Sequence, residues 1–398
     1  MKNAGLLRLG AAILLAAVLG GTMGVRLFAG RNADAKVLGL EKVIAFTYGP
    51  KGFDPRQLHS VTFVGPTKTE DWQYWRTRGV VMGVGHNWFD LLRSPVEEAV
   101  DNLTHQNYGG NPQPVVMIDE FGFDYGGQLD EKSARILRQT KRQKPDLALA
   151  VWNMRGPIPQ VLAEAYHDAA DLVMMESYVG DKRQYWWLAS QVWSARKYAI
   201  LPKTIMVLGV GKGGNAGENW AETKEELEQQ IRFVRLIAPE SPGVGFYGGT
   251  ADLLDGADEL CARFSDLRTD GTGLPEDLRA LAATFSESHE KATLVISPDF
   301  VEPNYNGDGS GKLVQPKTLR PYLINLGDQD AINVKVSLRN PPEKGGNVFA
   351  EGVVPLIPKR GEAVGVLPVT AEWHEWVGQW EIEVEARGCQ ILQFKMNK

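Results

Sequence analysis

The stretch that decides the fold is Val115–Gly127, with the sequence VVMIDEFGFDYGG. It begins with an apolar run, shows no helical period and is broken by glycine, which is typical of a buried strand. The apolar run leads into two adjacent carboxylates, Asp119 and Glu120. Carboxylates at the end of a buried strand are costly unless another group pairs with them or a reaction uses them. The rest of the chain therefore has to supply a core around this strand and a role for its acids.

Strand-like and helix-like segments alternate from residue 42 to about residue 266. The predicted strands are Lys42–Tyr48, Ser60–Val64, Gly79–Val84, Val115–Glu120, Leu147–Trp152, Leu172–Glu176, Thr204–Gly209 and Gly243–Tyr247. The predicted helices are Ser94–Gln106, Glu131–Lys144, Pro159–Ala170, Lys182–Tyr198, Thr223–Ala238 and Asp252–Leu267. Eight apolar strands separated by helices predict an α/β fold, a closed (β/α)8 TIM barrel. An open doubly wound sheet is the competing topology, but no Gly-x-Gly-x-x-Gly follows the first strand.

Two helix starts carry capping signals. Ser94 is expected to cap the first predicted helix, with Pro95 in its first turn. Thr223 and Glu226 have the spacing of a capping box.

The pattern of the sequence changes after residue 290. Short alternating runs parted by Pro, Gly and Asn predict a small antiparallel β-sandwich. The segment Leu323–Arg339 resembles the bacterial immunoglobulin-like modules called CARDB, and the resemblance implies an accessory module without chemistry. We therefore expect a signal peptide or membrane anchor at 1–35, a catalytic barrel domain at 36–270, a linker at 271–290 and an Ig-like sandwich at 291–398.

The N-terminus has the layout of an export signal. Lys2 and Arg8 precede an apolar run from Leu9 to Val25. This predicts a secretory signal peptide, or else an uncleaved anchor that is barely long enough to span a membrane. In either case the bulk of the chain is expected to be secreted or periplasmic, and it would touch the membrane only through this segment.

Composition limits the partners. The net charge of −6 at pH 7 argues against nucleic acid. Cys261 and Cys389 form no Cys-x-x-Cys motif, and no His/Cys cluster suggests a metal. We expect no cofactor, and the oligomeric state stays open.

Polar residues gather at the predicted strand ends, where the active site of a (β/α)8 barrel lies. The candidate catalytic residues are Glu120, Glu176 and Asp119. The candidate substrate-binding residues are Tyr48, His86, Asn87, Trp88, Asp124, Trp152, Asn153, Arg155, Tyr178, Lys212 and Tyr247. Of these, Trp88 and Trp152 are the expected platforms for sugar stacking, because the C–H faces of a pyranose suit an aromatic plane.

Two carboxyl groups across a cleft are what glycoside hydrolysis requires. We assign Glu120 as the general acid/base and Glu176 as its nucleophile or base partner, and the reverse assignment stays open. Apolar neighbours at both strand ends favour a protonated carboxyl by desolvation. Because side chains alternate along a strand, Asp119 is expected to turn away from a lumen that Glu120 enters, unless the strand has already ended.

The layout resembles a retaining glycoside hydrolase barrel with acids at strands four and six, as in the α-galactosidase-like clan. The Asp119-Glu120 pair is also similar to the hexosaminidases, in which the Asp positions the substrate's acetamido group and the Glu is the acid. The chitinase pattern Asp-x-x-Asp-x-Asp-x-Glu is absent, and strand seven carries no acid until Glu218. The resemblance implies a retaining enzyme that cleaves a poly- or oligosaccharide.

Two other functions stay open. An exported glycan-binding protein could use the same barrel without catalysis. Alternatively, the glycine-rich ends of strands seven and eight, at 209–214 and 247–249, could bind a phosphorylated substrate, because many barrels hold phosphate in these loops.

Overall fold

The computed structural model describes residues 37–47, 55–65, 72–111, 114–122, 127–154, 156–179, 185–211, 220–267, 269–297, 301–303, 318–370 and 381–394. Residues 36–398 form one compact unit. Within this unit a closed barrel comes first and two β-sheets follow.

Eight parallel strands form the barrel, each hydrogen-bonded to the next, and the first pairs with the last. Their bounds are β1 Val43–Thr47, β2 Phe63–Val64, β3 Val81–Asn87, β4 Val115–Phe121, β5 Ala148–Asn153, β6 Leu172–Glu176, β7 Thr204–Val210 and β8 Gly243–Gly248. The predicted TIM barrel is therefore confirmed.

The helices are α1 Trp72–Thr77, α2 Trp88–Arg93, α3 Val96–His105, α4 Gln128–Gln143, α5 Gln160–Ala169, α6 Tyr185–Lys197, α7 Lys224–Ile237, α8 Ala251–Ala262 and α9 Glu276–Ser286. The six predicted helices are present, α1 and α2 were not predicted, and α9 follows the barrel. The capping box of Thr223 and Glu226 is present at the start of α7. The predicted Ser94 cap is wrong, because Pro95 occupies the N-cap of α3 and Ser94 ends α2.

Alternate residues of the barrel strands point to opposite sides. One set fills the lumen with apolar side chains such as Val115, Met117, Met174 and Val207. The other set faces the surrounding helices and joins the main core. This period of two decides which strand-end residues reach the mouth of the barrel and which do not.

Two sheets form the β-sandwich. Its strands are β9 Thr293–Ile296, β10 Val301–Pro303, β11 Thr318–Asn325, β12 Ala331–Arg339, β13 Val348–Ile357, β14 Gly361–Val364, β15 Leu367–Pro368, β16 Glu381–Glu385 and β17 Gln390–Gln393. The pairs are antiparallel as predicted, except that β17 runs parallel to β9. The long strand β13 contains Gly352 and Pro355, which normally weaken a strand, so the sequence pattern does not indicate it.

Part of the sandwich shares a core with the barrel helices, and the rest forms a core of its own. Val295, Tyr322, Ile324 and Leu326 belong to the same apolar cluster as the barrel helices. The predicted linker, 271–290, contains α9, which packs on α6 and α7 and buries Leu278, Ala282 and Phe285 in that cluster.

The N-terminal export signal predicted at 1–35 lies outside the described residues. No helix in the described part of the chain is long and apolar enough to cross a membrane.

Barrel closure between β1 and β8 needs a glycine at residue 243. A Cβ atom there would lie 1.7 Å from the carbonyl oxygen of Val43, so we expect Gly243→Ala to lower the free energy of unfolding by about 3 kcal/mol. Gly256, inside α8, is the control, because its added Cβ would make only an ordinary contact at 3.4 Å with the flexible Lys224 side chain. Gly256→Ala should raise stability by about 0.5–1 kcal/mol. Urea unfolding checks both, and equal effects of the two substitutions would contradict this view of the closure.

Candidate active site

Asp119 and Glu176 both belong to the lumen-facing set of their strands. Asp119 continues the series of Val115 and Met117 in β4, and Glu176 continues that of Met174 in β6. Strand β5 lies between them. The barrel therefore brings carboxyl groups from two strands to one mouth, above an apolar filling.

Glu120 also acts at this mouth, because the strand is irregular there. The register between β4 and β5 shifts between Ile118 and Phe121, and Glu120 has a φ of +64°. This is the left-handed region, which costs a residue with a Cβ about 1–2 kcal/mol. Regular alternation is broken, and both Asp119 and Glu120 act electrostatically on Glu176. The expectation that Asp119 turns away from the lumen is therefore wrong.

Glu176 holds its proton more tightly than an ordinary glutamate. Burial, together with the charges of Asp119 and Glu120, raises the pKa of its carboxyl to about 7. Hydrogen bonds from Tyr178 and Trp152 oppose this rise. Near neutral pH, Glu176 is thus divided between its acidic and basic forms, as a group that transfers protons should be.

Glu120 lies nearer to solvent and is held by Asn87. The side-chain nitrogen of Asn87 donates to Glu120 Oε2 at 3.3 Å, while Asn87 Oδ1 accepts from the backbone N–H of Phe89 at 2.8 Å and caps α2. Because the cap uses the oxygen, the amide nitrogen is directed at the acid. Burial and the Asp119 charge raise the pKa of Glu120, and the Asn87 hydrogen bond lowers it.

Aromatic side chains form a wall beside Glu176. Tyr178 stacks on Tyr247 with ring centroids 5.1 Å apart and an angle of 19° between the rings. Trp220 contacts both of these rings, at 4.8 and 5.5 Å, and Trp152 meets Tyr247 edge-on at 6.0 Å. Such a wall excludes water from one side of the carboxyl and offers an apolar surface to a ligand.

Trp220 is the site residue that sequence reasoning missed. A Cβ on Gly209 would lie 2.6 Å from its indole ring, and a Cβ on Gly248 would lie 3.1 Å from it. Glycine inside a strand marks a close approach by another group, so Gly209 was the available signal. The backbone N–H of Gly211 donates to Ala221 O at 2.7 Å. Gly209 and Gly248 therefore accommodate Trp220, while residues 212–214 of the predicted phosphate loop lie outside the described residues.

The strand end that carries Glu176 is fixed from behind by buried amides. Gln191 of α6 donates from Nε2 to the carbonyl oxygen of Glu176 at 2.6 Å, and Ser177 Oγ donates to Gln191 Oε1 at 2.6 Å. Gln230 of α7 donates to the carbonyl of Val179 at 2.6 Å. Glu176 therefore lies on a backbone segment with little freedom to move.

Three predicted binding residues point away from the lumen. Trp88 is 0% exposed and stacks on Phe121 at 4.7 Å, so its prediction as a sugar platform is wrong. Asn153 is 1% exposed and accepts a hydrogen bond from Tyr166 at 2.7 Å, so it does not position substrate. His86 follows the outward set of β3 and lies beside Tyr108, and burial lowers its pKa.

Two further expectations concern Trp152 and the loops. Trp152 is 2% exposed, so it supports Glu176 from the lumen and offers no open face for stacking. The predicted residues Tyr48, Asp124, Arg155 and Lys212 lie outside the described residues. Within the described ranges, no group of three or more His, Cys, Asp or Glu side chains is arranged to hold a metal ion.

No family model and no curated protein matches the chain. Solved structures with a similar fold include a chitinase from Chromobacterium violaceum ATCC 12472, with a TM-score of 0.43 and 13% identity, covering 57% of this chain and 100% of that one. The endo-beta-N-acetylglucosaminidase from Cordyceps militaris has a TM-score of 0.41 and 10% identity, covering 64% and 93%. A GH18 chitinase from Pseudoalteromonas aurantia has a TM-score of 0.40 and 14% identity, covering 56% and 99%.

This likeness concerns the fold. The chain has a (β/α)8 TIM barrel followed by a β-sandwich. Its chemistry has to be inferred from its own side chains.

The strained backbone of Glu120 can be tested by removing its Cβ. We expect Glu120→Gly to raise the free energy of unfolding by about 1 kcal/mol, because glycine adopts a positive φ without strain. Glu120→Ala is the matched control, since it also removes the carboxylate but keeps the Cβ. Urea unfolding should show the gain for glycine alone, and an equal gain for alanine would assign it to the lost charge.

Proposed function

We propose that the protein is an exported glycoside hydrolase that cleaves a poly- or oligosaccharide with the carboxyl groups at the barrel mouth. The observation that carries this proposal is Glu176, a carboxyl with a pKa of about 7 beside two other acids and an aromatic wall. Glycosidic cleavage needs one protonated carboxyl and one ionised carboxyl close together. Two carboxyl groups that differ in exposure have different pKa values, so one can be protonated while the other is ionised at the same pH.

The burial of Glu176 supports the reverse of the assignment favoured by the sequence. Glu176 is the proton donor to the leaving oxygen, and Glu120, nearer to solvent and held by Asn87, is the nucleophile. Asp119 raises the pKa of both glutamates and so helps to keep Glu176 protonated.

The reaction then has two steps. The Glu120 carboxylate attacks the anomeric carbon and forms an ester with the sugar, while Glu176 gives its proton to the departing oxygen. Water next attacks the same carbon and breaks the ester. The Glu176 carboxylate accepts the proton of that water, which returns both acids to their starting forms.

The strand spacing is compatible with this retaining course. Glu120 and Glu176 lie on strands two positions apart, which sets their Cα atoms roughly 9–10 Å from each other. Side chains that converge on the barrel axis shorten this towards the about 5–5.5 Å between the carboxyl groups of retaining enzymes. Retention of configuration is therefore part of the proposal.

The pH dependence of turnover tests the role of Glu176. The protonated form is the active one, so kcat/KM should fall as pH rises through about 7. Asp119→Asn removes a charge that raises the pKa of Glu176, so this fall should move to lower pH by at least about half a unit. Initial rates on a panel of polysaccharides and chito-oligosaccharides give the profile.

The control is Asp101→Asn, which removes the same charge from an exposed position on α3 and should leave the profile unchanged. A loss of activity as pH falls through about 7, in place of the loss as pH rises through it, would make Glu176 the base or nucleophile. Binding to glycans without turnover of any of them would favour the glycan-binding alternative. Product NMR that shows inversion at the anomeric carbon would contradict the retaining course.

A further inference from the structure

Helix α6 is buried almost all round. Of its 13 residues, ten are buried, including Trp186, Gln191 and Trp193. A barrel helix normally keeps one polar face in water, and a helix without such a face has partners on both sides. For α6 these partners are the barrel strands on one side, and α9 together with the β-sandwich on the other.

On its inner side, α6 holds the residue that carries the proposed acid. The Gln191 side chain donates to the backbone carbonyl of Glu176 and accepts from Ser177. Gln191 and Ser177 are each 0% exposed. A buried amide that lost these bonds would remain unsatisfied at a cost of about 1–3 kcal/mol, so α6 and the end of β6 should move together.

On its outer side, the sandwich contacts the same helix near both ends. Phe394 stacks on Trp186 in the first turn, with centroids 5.1 Å apart and an angle of 10° between the rings. At the other end, Glu362 of β14 accepts hydrogen bonds from Lys197 and from Tyr198, the residue after the helix. The two contacts are separate in kind, one apolar and one polar.

The packing around the outer side of α6 and of the neighbouring α5 leaves two cavities. A cavity of about 490 Å³ lies between Trp193, Phe285 and Arg360. A second cavity, of about 390 Å³, lies between α5 and the sandwich residues Arg320 and Glu362. The first cavity leaves the last turns of α6 incompletely covered, so the contacts of Glu362 with Lys197 and Tyr198 add to the restraint that α9 gives this helix.

We propose that the β-sandwich is a positioning element of the active site: it clamps α6 through Phe394 and Glu362, and α6 in turn holds the Glu176 backbone through Gln191. In this view the sandwich is not an independent accessory module. This inference rests on the proposed function only where enzyme activity is the quantity measured.

The test uses Phe394→Ala in the full-length protein. Releasing the first turn of α6 should let water reach Glu176, so kcat should fall at least about threefold with little change in KM, and the loss of activity at high pH should begin at lower pH. Phe394→Tyr keeps the ring and should restore both values. Glu362→Ala, at the other end of α6, should act in the same direction and serves if Phe394→Ala does not fold.

Val336→Ala is the matched control. Val336 is 0% exposed in the sandwich's own core, which is separate from the barrel cluster, so this substitution should lower stability in urea without changing the pH profile. An unchanged profile in folded Phe394→Ala and Glu362→Ala, or an equal shift in Val336→Ala, would overturn the proposal. If no glycan is turned over, the proposed function fails, and infrared titration of the Glu176 carboxyl in the same variants decides the positioning role by itself.

Discussion

The closed barrel imposes one constraint on which the site depends, namely that alternate side chains of every strand must point into a shared lumen. This places Asp119 of β4 and Glu176 of β6 above a filling of apolar residues. Burial there favours the neutral form of a carboxyl, and acidic neighbours add to the effect. The high pKa of Glu176 is therefore a consequence of barrel geometry before any ligand is considered.

Other features of the chain support this arrangement. The irregular backbone at Glu120 adds a third acid to the mouth at a cost in local strain. Trp220 folds over the glycines of β7 and β8 and completes the aromatic wall. Buried amides fix the strand end from behind, and the sandwich packs on the helix that carries one of them. Stability lost to strain and desolvation at the mouth is offset by packing in the cores of the barrel and the sandwich.

Part of the fold and of the candidate site was predictable from the sequence. Apolar runs of strand length gave the eight barrel strands, and the rule for strand ends brought Asp119, Glu120, Glu176, Tyr178 and Tyr247 to one region. The direction of single side chains at those ends was harder to predict. Trp88 and Asn153 belong to the outward side, and the bulge at Glu120 breaks the period of two on which any such assignment depends.

Packing between residues that are far apart in the chain left weaker signals in the sequence. Trp220 reaches the site from outside any barrel strand, and only Gly209, a residue that also suits loops, indicated that something lay close. Because Gly352 and Pro355 lie inside β13, the longest strand of the sandwich, the sequence pattern did not indicate this strand.

Infrared titration of the Glu176 carboxyl, as the difference between the wild-type protein and Glu176→Gln, tests the central claim most directly. We predict a midpoint near pH 7; a midpoint near the ordinary glutamate value of about 4.3 would contradict it.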